Sequence, residues 1–212
     1  YEKPTFPFIA LTISGGHTQI VKVNSFFDME IIGETTDDAV GEAFDKSAKI
    51  LGLPYPGGPL IDKYAQEGNP RAFQFTKPKV EGLNFSFSGL KTQILYFIQK
   101  NVAENPSFIE ENKADICASV QNIIIKILMD KLKLAVEETG INQIAIGGGV
   151  SANSGIRNTL KEAEAKYGWK TYIPKFEYTT DNAAMIGIVG YQKYLHHQFE
   201  NASVVSKARI EF

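Results

Sequence analysis

The chain has 212 residues, 43% of them hydrophobic, enough for one sizeable core or two small ones. Its 22 Lys and Arg nearly balance 24 Asp and Glu, so no bulk basicity points to nucleic acid, and any RNA contact must be local or shared with a partner. The single cysteine, Cys117, excludes an internal disulfide and reads as a buried thiol of a cytosolic protein. No run of about 18 apolar residues predicts a membrane span, and no signal peptide is visible. The first residue is Tyr rather than Met, so the chain is expected to be an excised piece of something longer.

Residues 8–13 and 19–23 are apolar and β-branched, with Ser14-Gly15-Gly16 between them, which predicts a β-hairpin. Met29 to Thr35 predicts a third strand. Asp37 or Asp38 is then expected to cap a helix with the apolar stripe Val40, Ala43, Phe44, Ala48 and Leu51, stopped by Gly52. Pro54 to Pro78 holds five of the nine prolines and reads as irregular, with one short helix near Leu60–Glu67. The segment Asn84-Phe85-Ser86-Phe87-Ser88-Gly89-Leu90-Lys91-Thr92 leads into a helix ending near Asn101. A longer helix, about Asn112 to Thr139, carries the stripe Ile116, Val120, Ile123, Ile124, Ile127, Leu128, Leu132, Ala135 and ends at Gly140. A strand at 143–146, a helix from about Ala152 to Tyr167, a strand at 170–173 and a helix from about Thr180 to His196 complete the reading. The order β-β-β-α-(insert)-α-β-α-β-α predicts a mixed five-stranded sheet with covering helices.

Two glycine-rich turns follow apolar runs: Ser14-Gly15-Gly16-His17-Thr18 and Gly147-Gly148-Gly149-Val150-Ser151-Ala152-Asn153. Glycine brings bare backbone close to a ligand, and the N–H groups of such turns suit a phosphate or carboxylate. The first is also readable as an ordinary tight turn. In the second, Asn153 either bonds a base or ribose or merely caps a helix. Asp45 lies mid-helix, one turn after Gly41, whose missing side chain would admit a ligand; its carboxylate either accepts from ribose hydroxyls or faces solvent. Tyr55-Pro56-Gly57-Gly58-Pro59 is a rigid open loop followed within a turn by Asp62, a contact loop or a plain connector. Asp181, at the start of the last helix, either caps it or offers a hard oxygen to a metal. His17, His196 and His197 form no HxxxH or HExxH pair, which argues against a self-contained zinc site.

The predicted element order resembles the ribonuclease-H-like plan of one lobe of the actin, Hsp70 and sugar-kinase superfamily, in which a glycine hairpin turn holds nucleotide phosphates. More specifically, SGGHTQ, DDAVGEAFDKSAKILGLPYPGGP, FSFSGLKT, GGGVSAN and TTDNAAMIG occur in one order. Over residues 8–195 the chain closely resembles the C-terminal part of the TsaD family, the tRNA N6-adenosine threonylcarbamoyltransferases once called O-sialoglycoprotein endopeptidases. The resemblance implies transfer of a threonylcarbamoyl group from threonylcarbamoyl-adenylate to N6 of adenosine 37 in tRNAs reading ANN codons, with loss of AMP. By matching motifs, Thr12, Ile13, Ser14, Gly15 and Gly16 would form a phosphate-side loop. Asp45, Gly58 and Asp62 would hold the ribose and adenine region, Asn153 would add a nucleotide contact, and Asp181 would bind a divalent metal, Fe2+ or Zn2+.

The implied ligands are tRNA and an adenine nucleotide (the adenylate, AMP or ATP). The implied partners are a TsaB-like paralogue and a TsaE-like ATPase, in the cytoplasm and away from membranes. The family's histidine pair of metal ligands has no match here. Residues 1–212 are therefore expected to be the C-terminal lobe, with an insert at about 53–110, an absent N-terminal lobe and no activity alone. Rival readings are another actin-like carbamoyltransferase or kinase lobe, or a non-catalytic TsaB-like subunit.

Overall fold

A computed structural model describes residues 3–206. Five strands form one sheet in the order β3-β2-β1-β4-β5. β1 (Phe8–Ile13) and β2 (Thr18–Val23) pair antiparallel around the Ser14–His17 turn, and β3 (Met29–Glu34) continues antiparallel beyond β2. On its other side β1 pairs in parallel with β4 (Gln143–Gly147), and β4 with β5 (Lys170–Tyr172). Ile9, Leu11 and Ile13 alternate into the core from β1, as a strand with one buried face requires. This is the mixed sheet of a ribonuclease-H-like, actin-type lobe, as the element order predicts.

The helices are α1 (Val40–Ile50), α2 (Gly57–Ala65), α3 (Ser88–Glu104), α4 (Phe108–Thr139), α5 (Ser154–Tyr167) and α6 (Ala183–Leu195). α4 buries the stripe from Ile116 to Ala135 and ends where Gly140 adopts φ +68, a left-handed cap that glycine adopts without strain. Cys117 lies on this buried face, and burial pushes its thiol up to about 11, so it stays protonated and unreactive at neutral pH.

Neither Asp37 nor Asp38 caps α1, contrary to expectation. The amide of Val40 instead donates to the buried Oγ1 of Thr18 at 2.8 Å, across 22 residues of sequence. Asp38 pairs with Lys46 at 2.7 Å. Asp37 reaches the segment ahead of α3: it accepts from the amides of Phe87 (2.8 Å) and Ser88 (3.2 Å) and from the hydroxyls of Ser86 (2.6 Å) and Ser88 (2.8 Å). FSFSG is thereby a strut, with Phe85 and Phe87 in the core and both serines on one carboxylate.

Desolvation alone would raise the Asp37 carboxyl, but these amide and hydroxyl donors outweigh it and hold it below its ordinary value of 3.8. A group whose pKa falls on folding contributes stability that is present above the unfolded pKa and lost as pH falls through the folded one. Asp37→Asn should therefore cost about 1–2 kcal/mol near neutral pH. The gap to the unsubstituted chain should narrow as pH drops below about 4. Urea titrations at several pH values check this; a gap independent of pH would show that the charge does not matter.

Candidate functional site

β1 and β4 run parallel and neighbour each other, so the loops that leave them, Ser14–His17 and Gly148–Asn153, emerge side by side at the carboxyl end of the sheet. In open α/β sheets ligands bind in the crevice at that end. A cavity of ≈ 470 Å³ lies there, lined among others by Gly15, Gly41, Asp45, Tyr55, Gly58, Asp62, Gly149 and Asn153. It is within the range of small-molecule sites. Five of the sequence-selected residues, Gly15, Asp45, Gly58, Asp62 and Asn153, thus converge from four separate stretches of chain.

Thr12, Ile13, Ser14 and Gly16 do not line it. Ile13 is fully buried in the core. The Thr12 hydroxyl reaches the carbonyl of Gln19 at 3.5 Å. Ser14 Oγ accepts from the amides of Gly16 (3.2 Å) and His17 (2.9 Å), so two of the turn's expected anion donors are already engaged. Gly15 lines the cavity, and its amide has no hydrogen-bond partner among the described residues. Nothing lies within 4 Å of where a Cβ on Gly15 would sit.

Gly41 plays a different part from the one expected. A Cβ there would fall 2.7 Å from the Ser14 carbonyl oxygen and 2.9 Å from the Gly15 backbone. Its amide donates to that carbonyl at 3.1 Å. The missing side chain lets the hairpin tip rest on α1, and Gly41 still lines the cavity.

The carboxylates double as helix caps. Asp45, from α1, accepts through Oδ1 from the amides of Gly57 (2.8 Å) and Gly58 (3.1 Å), the first two residues of α2. Asp62, from α2, accepts from the amide (3.0 Å) and hydroxyl (2.7 Å) of Ser154, the first residue of α5. A negative charge at a helix N-terminus meets unpaired N–H groups and the positive end of the dipole. The α5 N-terminus, expected to cradle an anion, is thus satisfied by the protein's own Asp62. Asp45 keeps Oδ2 without an intramolecular partner among the described residues, on the wall of the cavity.

The triple glycine runs not directly into α5 but into a short 3-10 helix, Gly149–Ala152, after which Asn153 is the N-cap. Asn153 Oδ1 accepts from the amide of Ile156 at 3.0 Å, and its Nδ2 donates to Gln121 Oε1 of α4 at 2.7 Å. One Nδ2 hydrogen and the second lone pair of Oδ1 remain. Gln121 was not selected from the sequence. Its signal was a polar residue beside Val120 on the apolar face of α4. Gly155 makes room for it, since a Cβ there would stand 2.7 Å from Gln121 Nε2.

Asp181 is exposed and does not cap α6; Asn182 occupies the N-cap position, without a side-chain cap bond. Thr180, its neighbour, lines the cavity. No group of three His, Cys, Asp or Glu side chains able to hold a metal ion exists among the described residues. One carboxylate is only part of a ligand set, so the residues present do not make a metal site. A more open hollow of ≈ 620 Å³ lies beside α5 and β5. Its cations are engaged: Arg157 donates to the carbonyls of Ser151 and Pro174, and Lys161 to Glu164.

This is an actin-type lobe with a cavity at the carboxyl end of its sheet, framed by two glycine loops and two carboxylates. Solved structures share the fold: full-length HypF in a phosphate- and nucleotide-bound form superposes with a TM-score of 0.70 at 13% identity, over 93% of this chain and 34% of that one. HypF from T. kodakarensis gives a TM-score of 0.66 at 15% identity, over 90% and 34%. Residues 1–188 match the family TsaD, tRNA N6-adenosine threonylcarbamoyltransferase, and the chain belongs to that family. A relative of that name from Christiangramia forsetii is 71% identical over all of this chain and 62% of its own length. Others from Riemerella anatipestifer and Cytophaga hutchinsonii are 60% and 57% identical, over 98% of this chain and 61% of each. The chain therefore spans about three fifths of the length of these relatives.

Proposed function

We propose that this chain forms one wall of a site that transfers a threonylcarbamoyl group from threonylcarbamoyl-adenylate to N6 of adenosine 37 in tRNAs reading ANN codons. The observation that carries this reading is the convergence of Gly15, Asp45, Gly58, Asp62 and Asn153 on one cavity, in a chain of the TsaD family. The acyl donor is already activated, so the protein need not supply a nucleophile. The N6 amine attacks the carbamoyl carbon, a C–N bond forms, the bond to the phosphate oxygen breaks, and AMP leaves as the amine sheds a proton. Orientation and stabilisation of the departing phosphate are what such a step needs. The Gly15 amide supports the phosphate side, Asp45 Oδ2 the ribose hydroxyls, and the remaining Asn153 N–H the nucleotide.

The family also implies a metal, Fe2+ or Zn2+. Asp181 would give it one ligand and the rest would come from outside the described residues. The reading places the protein in the cytoplasm with tRNA, a TsaB-like paralogue and a TsaE-like ATPase. No helix among the described residues is long and apolar enough to cross a membrane.

Calorimetry of AMP and ATP binding tests the nucleotide site. Asp45→Asn keeps an acceptor for the α2 amides but weakens the bond to ribose, and should lower affinity about tenfold or more. Asp45→Ala should lose affinity equally and α2 stability as well. Absence of binding by every form, including a full-length relative, would leave Asp45 only its capping role.

A further inference from the structure

A third hollow, of ≈ 300 Å³, lies where the irregular segment after α2 crosses the middle of α4. Arg71 comes from the segment and Lys126 from the helix, and Phe73, Phe75, Ser119 and Asn122 also line it. Two bonds pin the segment to the helix. Asn122 Nδ2 donates to the Pro70 carbonyl at 2.8 Å, and the Phe73 amide donates to Ser119 Oγ at 3.1 Å. The Phe73 ring packs against Phe97 at 5.0 Å and Phe108 at 5.8 Å. The hollow is thus shaped before any ligand arrives.

Its charge is one-sided. No carboxylate is among the lining residues, and neither Arg71 nor Lys126 has an ion-pair or side-chain hydrogen-bond partner among the described residues. Ser119 is 2% exposed; its oxygen takes the Phe73 amide, but its own hydrogen finds no acceptor among the described residues. A buried donor left unpaired costs about 1–3 kcal/mol, which a ligand oxygen here would recover. The other two cavities differ: one carries Asp45 and Asp62, and the cations of the other are engaged. A guanidinium fork, an ammonium and a hydroxyl donor together suit a phosphate.

The position of the hollow indicates whose phosphate it takes. Gln121, beside Asn122 in α4, holds Asn153 on the wall of the nucleotide cavity, and Lys126 follows five residues on. Five residues are about 8 Å of helix. The segment itself leaves α2, whose Gly58 and Asp62 line that cavity too. A polymer that places one nucleotide at the cavity carries its neighbouring phosphates past the hollow, whereas a free phosphate gains nothing from the proximity. The chain's net charge of −2 offers a polyanion no general attraction, so such a contact has to be local. On the reading that tRNA is the acceptor, we propose that Arg71, Lys126 and the Ser119 hydroxyl hold a backbone phosphate of the tRNA close to the nucleotide being modified. A contact of this kind sets the register of the RNA without reading its sequence.

Fluorescence anisotropy of a labelled RNA stem-loop, with the acceptor adenosine in its loop, measures binding by this chain across salt concentrations. Arg71→Gln with Lys126→Gln should weaken binding about tenfold or more and flatten the slope of log K against log salt by about 1.5–2. Lys49→Gln with Lys100→Gln removes two exposed charges elsewhere and should change affinity less than about threefold. The Arg71 and Lys126 double variant should keep its melting temperature, because neither side chain has a partner to lose, and its AMP affinity. Undiminished stem-loop binding by that variant would overturn the proposal, as would an equal loss in the Lys49 and Lys100 pair, or no stem-loop binding even at low salt. So would inorganic phosphate binding that the double variant loses while the stem-loop binds both forms alike, which would make this a site for the free ion. AMP calorimetry separates the two readings: a chain that binds no AMP but needs Arg71 and Lys126 for the stem-loop refutes the nucleotide site and leaves the RNA contact standing.

Discussion

Replacing Gly148 by alanine is expected to destabilise the chain by about 3 kcal/mol or more, while the same change at either neighbouring glycine stays within about 1 kcal/mol of neutral. Gly148 has φ +90 and ψ 165, a region that is in practice reserved for glycine. A Cβ there would also stand 2.3 Å from the carbonyl oxygen of Ile13. That atom belongs to the end of β1, the central strand, and cannot swing aside as a side-chain tip would. At Gly147 and Gly149 φ is not left-handed and no atom lies within 4 Å of the added methyl. For a chain of this size about 3 kcal/mol lowers the melting temperature by roughly 6–12 °C. Thermal unfolding of the three variants checks the contrast, and a Gly148→Ala protein melting within a degree or two of the unsubstituted chain would refute it. Any loss of nucleotide binding in Gly149→Ala, which stays folded, would then report the cavity wall directly.

The three consecutive glycines show what could and could not be read from sequence. Their place after a buried strand was legible, because an apolar run ending in Gly-Gly-Gly has few other structural solutions. Which glycine is indispensable was not, because the constraint comes from Ile13, more than 130 residues away in sequence. The same division runs through the helices. Their apolar stripes and glycine stops, at Gly52 and Gly140, are local and were readable within a few residues; Gly168 ends α5 in the same way. Their N-terminal caps are not local: Thr18 caps α1, Asp45 caps α2, Asp37 caps α3 and Asp62 caps α5. The expectation that Asp37 or Asp38, the acids just upstream, caps α1 therefore fails. Asn153 on α5 is the case where local cap and candidate contact coincide. Of the motif residues, Gly15, Asp45, Gly58, Asp62 and Asn153 line the cavity while Thr12, Ile13, Ser14, Gly16 and Asp181 do not, and the amide donors of the glycine turns are partly consumed inside the protein. α6 was legible as a helix; that none of its side chains is buried among the described residues was not, because burial depends on what the fold brings beside a helix.

Asn153 is where structural and ligand-binding roles can be separated. Asn153→Ala loses the cap bond to Ile156, about 1 kcal/mol. It also strands the buried Oε1 of Gln121, about 1–3 kcal/mol more. Its unfolding midpoint and its nucleotide affinity should fall together. Asn153→Asp behaves differently. Its carboxylate still accepts from Ile156 and gains from the α5 dipole, and Gln121 can turn its amide to donate where it formerly accepted. Stability should therefore stay within about 1 kcal/mol of the unsubstituted chain. Nucleotide affinity should still drop at least about tenfold, because the side chain no longer has an N–H to donate and a negative charge lines the cavity of an anionic ligand. Denaturant unfolding and AMP calorimetry on the two variants measure both quantities. If Asn153→Asp binds AMP as the unsubstituted chain does, Asn153 is a cap alone, and the nucleotide must be held by Asp45 and the Gly15 amide without it.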